Sequence, residues 1–477
     1  MSLERLGASF RDPSGFVFRH EGAIYRQINR SYACHFDLLM SSGFYDALAA
    51  DGSLVAHEEV DPGQLPAGSD PERYKVIRPA MVPYVSYPYE WCFSQLKDAA
   101  LLTLTIQERA LAHGLILKDA SAYNIQFIGC KPVFIDTLSF EQFREGEPWI
   151  AYRQFCQHFL GPLALMAHCD VRTRNLLRSF VDGLPLDLVS RLLPRRTLAR
   201  YSLLAHIHLH AASQKRHEKD GREKDIVQRS QTMSGTLQLA LVKSLQRAID
   251  RCRLPKIRTE WADYYENTNY TPDTMAAKEA LVAAFVDSRV AADAIVHDVG
   301  ANTGKFSRLI AATGRYVLSH DIDELAVERN FHFNKANGVR NVLPLVLDLN
   351  NPSPALGWAL EERESLAQRA ANSVVLALAL IHHIVIANNV PMSSAASYFA
   401  TLARTLIIEF VPKNDSQVQR LLSTREDKFP EYDIEHFRLA FSRYYAIREE
   451  QPVGRSGRTL FLLERFAGSV FKGDATL

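Results

Sequence analysis

Two glycines and two acids in the second half of the chain have the spacing of a nucleoside-binding turn. Gly300 and Gly304 follow Asp298, where the strand predicted from the apolar run 294–296 should end. Such a run predicts a buried parallel strand, and glycines let the backbone turn tightly beside a ligand. About twenty residues further on, a second apolar run ends at Asp321, where a carboxylate can accept from ribose hydroxyls. The pattern therefore predicts an adenosine site.

The spacing of the glycines differs from that of dinucleotide-binding proteins. Gly-x-x-x-Gly follows the acid here, whereas pyrophosphate sites carry Gly-x-Gly-x-x-Gly. The stretch resembles motif I of class I S-adenosylmethionine-dependent methyltransferases, whose cofactor is an adenosine without phosphates. The resemblance covers residues 260–466 and implies an α/β, Rossmann-like domain with a seven-stranded sheet. The alternative is an ordinary strand-turn-helix that binds no cofactor.

The resemblance implies cofactor-binding residues at three successive strand ends. Asp348, after the third apolar run, would accept from the adenine amino group, and Leu349 would pack on the ring. The aromatic and polar segment 261–270 would fold over the cofactor as a lid, or alternatively cap the sheet. The residues implied are Asp298, Gly300, Asn302, Gly304, Phe306, Tyr270, Asp321, Ile322, Asp348 and Leu349.

Two histidines, His382 and His383, follow the fourth apolar run, 373–380. The carboxyl ends of parallel strands line the ligand crevice, and the pKa of a free imidazole lies close to neutrality. We therefore expect one of the two to act catalytically on the proton of the methyl acceptor. Alternatively, they cap the next helix or pack on the methionine end of the cofactor.

A second group of polar residues lies in the first half of the chain. Asp119 and Asn124 stand on a loop after a predicted helix, and Asp136 ends the predicted hairpin that follows. Their order resembles the C-terminal lobe of protein kinases and aminoglycoside phosphotransferases, and the resemblance covers residues 10–210. It implies an α+β kinase-like domain. Asp119 would orient the acceptor hydroxyl as a catalytic residue, while Asn124 and Asp136 would hold Mg²⁺ on the phosphates of ATP.

This half departs from the kinase pattern. Leu117 stands where the usual histidine precedes the catalytic aspartate, Thr137 follows Asp136, and no Gly-x-Gly-x-x-Gly loop precedes the first hairpin. Arg26 and Lys75 are the candidates for the phosphate-binding lysine. The alternative is a polar turn whose side chains bond the backbone.

Length and charge pattern predict two domains joined by a charged segment. A chain of 477 residues exceeds what one core accommodates, and the run 214–225 is almost devoid of apolar residues. We predict a kinase-like domain over residues 1–213, a linker with a connecting helix over 214–255, and a methyltransferase domain over 256–477. This order, with the segments 86–91 and 136–141, resembles bacterial nodulation host-specificity methyltransferases.

Composition restricts the partners. A net charge of +1 offers no global attraction to nucleic acid or membrane. Six scattered cysteines without C-x-x-C disfavour disulfides and zinc, and neither a signal sequence nor a membrane-spanning stretch is visible, so we expect a cytoplasmic protein. The run after residue 380 also lacks the Asn/Asp-Pro-Pro-Tyr/Phe loop of enzymes that methylate nucleic-acid bases.

These observations together predict transfer of a methyl group from S-adenosylmethionine to an O, N or C atom of a small-molecule or glycan substrate. The N-terminal domain would bind the substrate or a nucleotide. One alternative is a bifunctional kinase and methyltransferase that also uses ATP and Mg²⁺. Another is a non-catalytic scaffold that binds both nucleotides.

Overall fold

The chain forms two compact units in the computed structural model, which describes residues 4–61, 70–212, 233–255, 271–423 and 426–467. The first unit comprises Met1–Lys256 with Ala355–Arg363, and the second Ile257–Pro354 with Glu364–Leu477. Two segments thus differ from the predicted boundaries. The helix Gly235–Arg251, expected in the linker, and Ala355–Arg363, expected in the methyltransferase domain, both belong to the first unit.

A five-stranded antiparallel sheet begins the N-terminal unit, in the order β1-β2-β3-β5-β4. Between β3 and β4 the pattern predicts one helix over 35–50, but Gly43, with a φ of 70°, divides it into two. The elements are β1 Glu4–Arg5, β2 Gly15–His20, β3 Ala23–Asn29, α1 Ala33–Ser41, α2 Phe44–Ala50, β4 His57–Val60 and β5 Arg73–Pro79.

The rest of this unit is mainly helical, with two short strand pairs in which β6 pairs with β9 and β7 with β8. The last helix, α9 (Gly235–Arg251), packs on α3 (Phe93–Ala112), where Lys243 Nζ lies 2.6 Å from Glu108 Oε2. The elements are α3 Phe93–Ala112, β6 Leu115–Leu117, β7 Ile125–Ile128, β8 Lys131–Phe134, β9 Phe140–Gln142, α4 Tyr152–Phe155, the π-helix Cys156–Leu160, α5 Gly161–His168, α6 Leu176–Ser179, α7 Leu186–Leu192, α8 Tyr201–Leu203 and α9 Gly235–Arg251.

The C-terminal unit is built on a seven-stranded sheet in the order β12-β11-β10-β13-β14-β16-β15. Its first five strands are parallel, and β16 pairs antiparallel with both β14 and β15. The elements are α10 Pro272–Arg289, β10 Ile295–Val299, α11 Lys305–Ala311, β11 Tyr316–Asp321, α12 Glu324–Ala336, β12 Val342–Val346, α13 Leu366–Arg369, β13 Ser373–Ala377, the π-helix His383–Ala387, α14 Met392–Leu402, β14 Ala403–Phe410, α15 Ser416–Leu422, α16 Ile434–Phe441, β15 Tyr445–Pro452 and β16 Thr459–Arg465.

Both faces of the sheet are covered, as uninterrupted apolar strands require. Consecutive residues of β13 enter opposite cores: Val375 packs with Phe399, and Leu376 belongs to the cluster of Phe285. The strand β10 lies between β11 and β13, where the chain order reverses, and such a switch point opens a crevice at the carboxyl ends of the strands. Across the described ranges, helices long and apolar enough for a bilayer are absent.

Candidate functional site

The turn after β10 is shaped by three residues with positive φ: Gly300 at 77°, Asn302 at 51° and Gly304 at 78°. A Cβ on Gly304 would lie 2.3 Å from Oδ1 of the buried Asn330, so only glycine fits there. Gly300 is exposed, which leaves its backbone open to a ligand. Local backbone demands thus account for both glycines of the motif.

Asp298 lies beneath this turn and is buried. Ser307 Oγ donates to its Oδ2 at 2.6 Å, and Ser307 also lies 2.8 Å from Ser319 Oγ. Removal from water raises the pKa of Asp298 to about 7, while the bond from Ser307 opposes that shift. In this position Asp298 fixes the turn to α11 and β11 from below.

Asp321 joins the ends of the first two strands. Its Oδ2 accepts from the backbone N–H of Asn302 at 2.7 Å, and its Oδ1 accepts from that of Asp323 at 2.8 Å. Burial raises its pKa to about 6. Asp323 in turn caps α12, accepting from Leu325 N at 2.9 Å. The predicted ribose-binding acid is therefore held directly against the glycine turn.

Apolar and acidic side chains flank this junction. Ile322, next to Asp321 at the end of β11, is 55% exposed. Asp348 and Leu349, just beyond β12, are half-buried, and Asp348 Oδ1 accepts from Asn350 N at 2.9 Å. Because β10, β11 and β12 are adjacent and parallel, all these residues belong to the same edge of the sheet.

Two further predicted residues have different settings. Phe306 is buried in the core, with Lys278 Nζ 5.1 Å from its ring centroid, so it supports the turn from inside. Tyr270, with the rest of the predicted lid over 261–270, lies outside the described residues.

His382 and His383 follow β13, which ends at Ala377 and not at residue 380 as predicted. Their ring centroids are 4.1 Å apart. Burial lowers the pKa of His382 well below its ordinary value and that of His383 to about 4. Both imidazoles thus depart from the near-neutral pKa of the free ring, because desolvation disfavours the charged form. Both rings are neutral at physiological pH.

A buried ion pair lies close to these groups and was not predicted. Lys278 Nζ of α10 is 2.7 Å from Glu409 Oε2 of β14, and both side chains are almost completely buried. The same oxygen of Glu409 accepts from the backbone N–H of Ala379 at 2.8 Å, where φ is 48°. Glu409 thus holds the segment between β13 and the histidines. In the sequence, the signal for this pair is a lysine and a glutamate that each interrupt an otherwise apolar face.

The predicted polar residues of the N-terminal unit form one cluster. Arg26 Nη1 of β3 lies 2.7 Å from Asp136 Oδ1, and Arg26 also pairs with Asp12. Ser139 Oγ donates to Asp136 Oδ2 at 2.5 Å and accepts from Asn124 Nδ2 at 3.2 Å. Of the two candidates for the phosphate-binding lysine, only Arg26 is bonded to this cluster.

The other basic candidate, Lys75, lies 2.9 Å from Glu59 Oε2 on the neighbouring strand. Asp119 Oδ1 accepts from Ser121 N at 2.8 Å. Burial, and then repulsion from Asp136, raises the pKa of Asp119. Among the residues that the structure describes, groups of three or more His, Cys, Asp and Glu side chains able to hold a metal are absent.

The strand order and the glycine turn define the fold of the C-terminal unit as that of class I methyltransferases. The chain is 34% identical to the nodulation protein NoeA of Rhizobium meliloti (strain 1021) over 465 residues, or 97% of this chain and 96% of that protein. It therefore belongs to the NoeA family of nodulation proteins. No protein-family model matches the sequence.

Several solved methyltransferase structures are weakly similar. The N-methyltransferase NodS of Bradyrhizobium japonicum WM9 is 10% identical, with coverage of 41% of this chain and 97% of that chain and a TM-score of 0.29. The magnesium protoporphyrin IX methyltransferase ChlM of Synechocystis PCC 6803 is 19% identical, with coverage of 41% of this chain and 86% of that chain and a TM-score of 0.29. The bifunctional kinase-methyltransferase WbdD is 14% identical, with coverage of 40% of this chain and 39% of that chain and a TM-score of 0.28. These scores are too low to define the fold, which rests on the strand order.

Proposed function

We propose that the C-terminal unit binds S-adenosylmethionine and transfers its methyl group to an O, N or C atom of a small-molecule or glycan substrate. The observation that carries this proposal is the bond from Asn302 N to Asp321 Oδ2. It joins a glycine turn to a strand-end acid at the switch point of the sheet. An adenosine without phosphates suits such a site, because the acid can accept from hydroxyls while the turn offers close backbone approach.

The residues around the junction fit the cofactor in chemistry. Asp321 would accept from the ribose hydroxyls, and Asp348 from the adenine amino group. Ile322, which is 55% exposed, and Leu349 would pack on the adenine ring. When bound, the sulfonium supplies an electrophilic methyl group that the protein does not have to activate.

The remaining task of the chain is to align the acceptor and exclude water. His382 and His383 are neutral, so they can accept a hydrogen bond from the acceptor atom. Because the pKa of His383 is only about 4, it is a weak base. This favours an acceptor with a lone pair already free, such as an uncharged amine, over one that must first lose an alcohol proton. We assign the two histidines to orientation of the acceptor.

Isothermal titration calorimetry of the full-length protein with S-adenosylmethionine tests this function. Wild type is expected to bind at micromolar concentrations, and Asp321→Ala to bind at least about tenfold more weakly, a loss of about 1.4 kcal/mol. Asp287→Asn is the matched control, because it removes a carboxylate of the same unit whose side chain is largely exposed and pairs with Arg315. Absence of binding by folded wild type would refute the proposal.

For the N-terminal unit we propose a kinase-like fold that binds the substrate or a nucleotide. Support comes from the sheet order β1-β2-β3-β5-β4 with helices after β3, and from the pairs β6–β9 and β7–β8 around the cluster. The order of Asp119, Asn124 and Asp136 on these elements favours a second candidate, phosphoryl transfer from ATP. If Asp119→Ala leaves every activity of the protein intact, this second candidate fails.

A further inference from the structure

The carboxylate of Asp136 is already occupied by protein donors. Arg26 Nη1 lies 2.7 Å from Oδ1, and Leu138 N donates to the same oxygen at 3.1 Å. Ser139 Oγ donates to Oδ2 at 2.5 Å. A magnesium ion needs oxygen ligands in near-ideal octahedral geometry at about 2.0–2.1 Å. A guanidinium and a metal ion would therefore compete for the same carboxylate.

The other predicted metal ligand, Asn124, is joined to the same network through its amide nitrogen. Its Nδ2 donates to Ser139 Oγ at 3.2 Å, and the same hydroxyl donates to Asp136. Ser139 is buried, so this link is shielded from water. Asn124, Ser139 and Asp136 thus form a hydrogen-bonded chain. With protein donors on both oxygens of Asp136, this carboxylate does not fit a magnesium site as it is arranged.

Arg26 supplies the positive charge that a metal would bring. It bridges two carboxylates, since Asp12 pairs with one terminal nitrogen and Asp136 with the other. The side chain of Arg26 is 13% exposed, that of Asp12 is 23% exposed and that of Asp136 is 16% exposed. Solvent therefore screens these two ion pairs less than it screens ion pairs on the surface. Arginine keeps its charge at all physiological pH values and, with its planar fork, can hold two carboxylates at once.

We infer that the guanidinium of Arg26 stands in the place of a divalent cation, so that the N-terminal unit binds no Mg²⁺ and transfers no phosphoryl group. The inference rests on the kinase-like fold proposed above and decides against its second candidate activity. It also argues against the expectation that Asn124 and Asp136 hold Mg²⁺. The cluster acts as a built-in ion network that joins β3 to the segment after β8.

Electron paramagnetic resonance of Mn²⁺ tests this directly, because the signal of the free ion falls on binding. The full-length wild type is expected to leave the signal unchanged. Arg26→Gln is expected to bind Mn²⁺ and to lower the signal of the free ion, because Asp136 then lacks its guanidinium partner. The double variant Arg26→Gln with Asp136→Asn should lose that gain. Lys75→Gln is the matched control, since it removes one positive charge from the adjacent strand β5 without uncovering Asp136.

Two results would overturn the inference. One is Mn²⁺ binding by wild type that Asp136→Asn abolishes, and the other is a folded Arg26→Gln protein that gains none. If Arg26→Gln fails to fold, as its thermal midpoint would reveal, the wild-type and Asp136→Asn samples still decide the question. Calorimetry with S-adenosylmethionine on the same wild-type sample separates this outcome from failure of the methyltransferase proposal.

Discussion

The raised pKa of Asp298 makes the stability of the C-terminal unit depend on pH in a predictable direction. The native carboxyl has a pKa of about 7, against 3.8 for the free group. Between these values the native state keeps a proton that the unfolded chain has released. Stability from this group is therefore fully present below about pH 4 and is lost as the pH rises to about 7.

The size of the effect follows from linkage. Between about pH 5 and pH 7 the unfolding free energy falls by roughly 1.4 kcal/mol per pH unit, or about 3 kcal/mol in total. Asp298→Asn keeps the shape of the side chain and removes its titration. The variant is therefore expected to lose this share of the pH dependence and to gain stability relative to wild type as the pH rises. Asp321, whose pKa is about 6, contributes with the same sign in both proteins.

Urea unfolding followed by circular dichroism, at about pH 5 and about pH 8, measures this effect. The unfolding free energy of Asp298→Asn is compared with that of wild type at each pH, and the two differences are then subtracted. This subtraction cancels the pH dependence that both proteins have in common. A double difference of about 3 kcal/mol is expected from the linkage. Equal pH dependence in wild type and Asp298→Asn would refute the reasoning, because it would mean that Asp298 is ionised throughout the range.

Three further substitutions probe the same unit. Gly304→Ala should lower the unfolding free energy by about 2 to 5 kcal/mol, since a positive φ and contact with Asn330 Oδ1 both penalise a methyl group; an unchanged urea midpoint would contradict this. Ile322→Ser should weaken S-adenosylmethionine binding in calorimetry about fivefold or more without lowering the thermal midpoint, because the side chain is half exposed. Lys278→Met should cost about 3–5 kcal/mol in urea unfolding by leaving Glu409 buried without its lysine, and adding Glu409→Gln should restore part of the loss.

The local sequence determined the elements of the C-terminal site. The apolar runs that precede Asp298, Asp321 and Asp348 predict parallel strands, because a strand that is buried on both faces is apolar along its whole length. The glycine spacing predicts the turn, and the structure shows its reason in the positive φ values and the contact with Asn330. These features depend on neighbours in sequence, which a local pattern contains.

Only the tertiary structure decided which distant groups pair and what burial does to them. Lys278 and Glu409 are 131 positions apart, and no periodicity relates them. The sequence offers Arg26 and Lys75 equally as the phosphate-binding residue. Only the sheet places Arg26 beside Asp136 and Lys75 beside Glu59. The structure likewise set the pKa values of the histidines after β13, because desolvation depends on packing around a group. The residue types were legible in the sequence, but their charge states and partners arise from the folded interior.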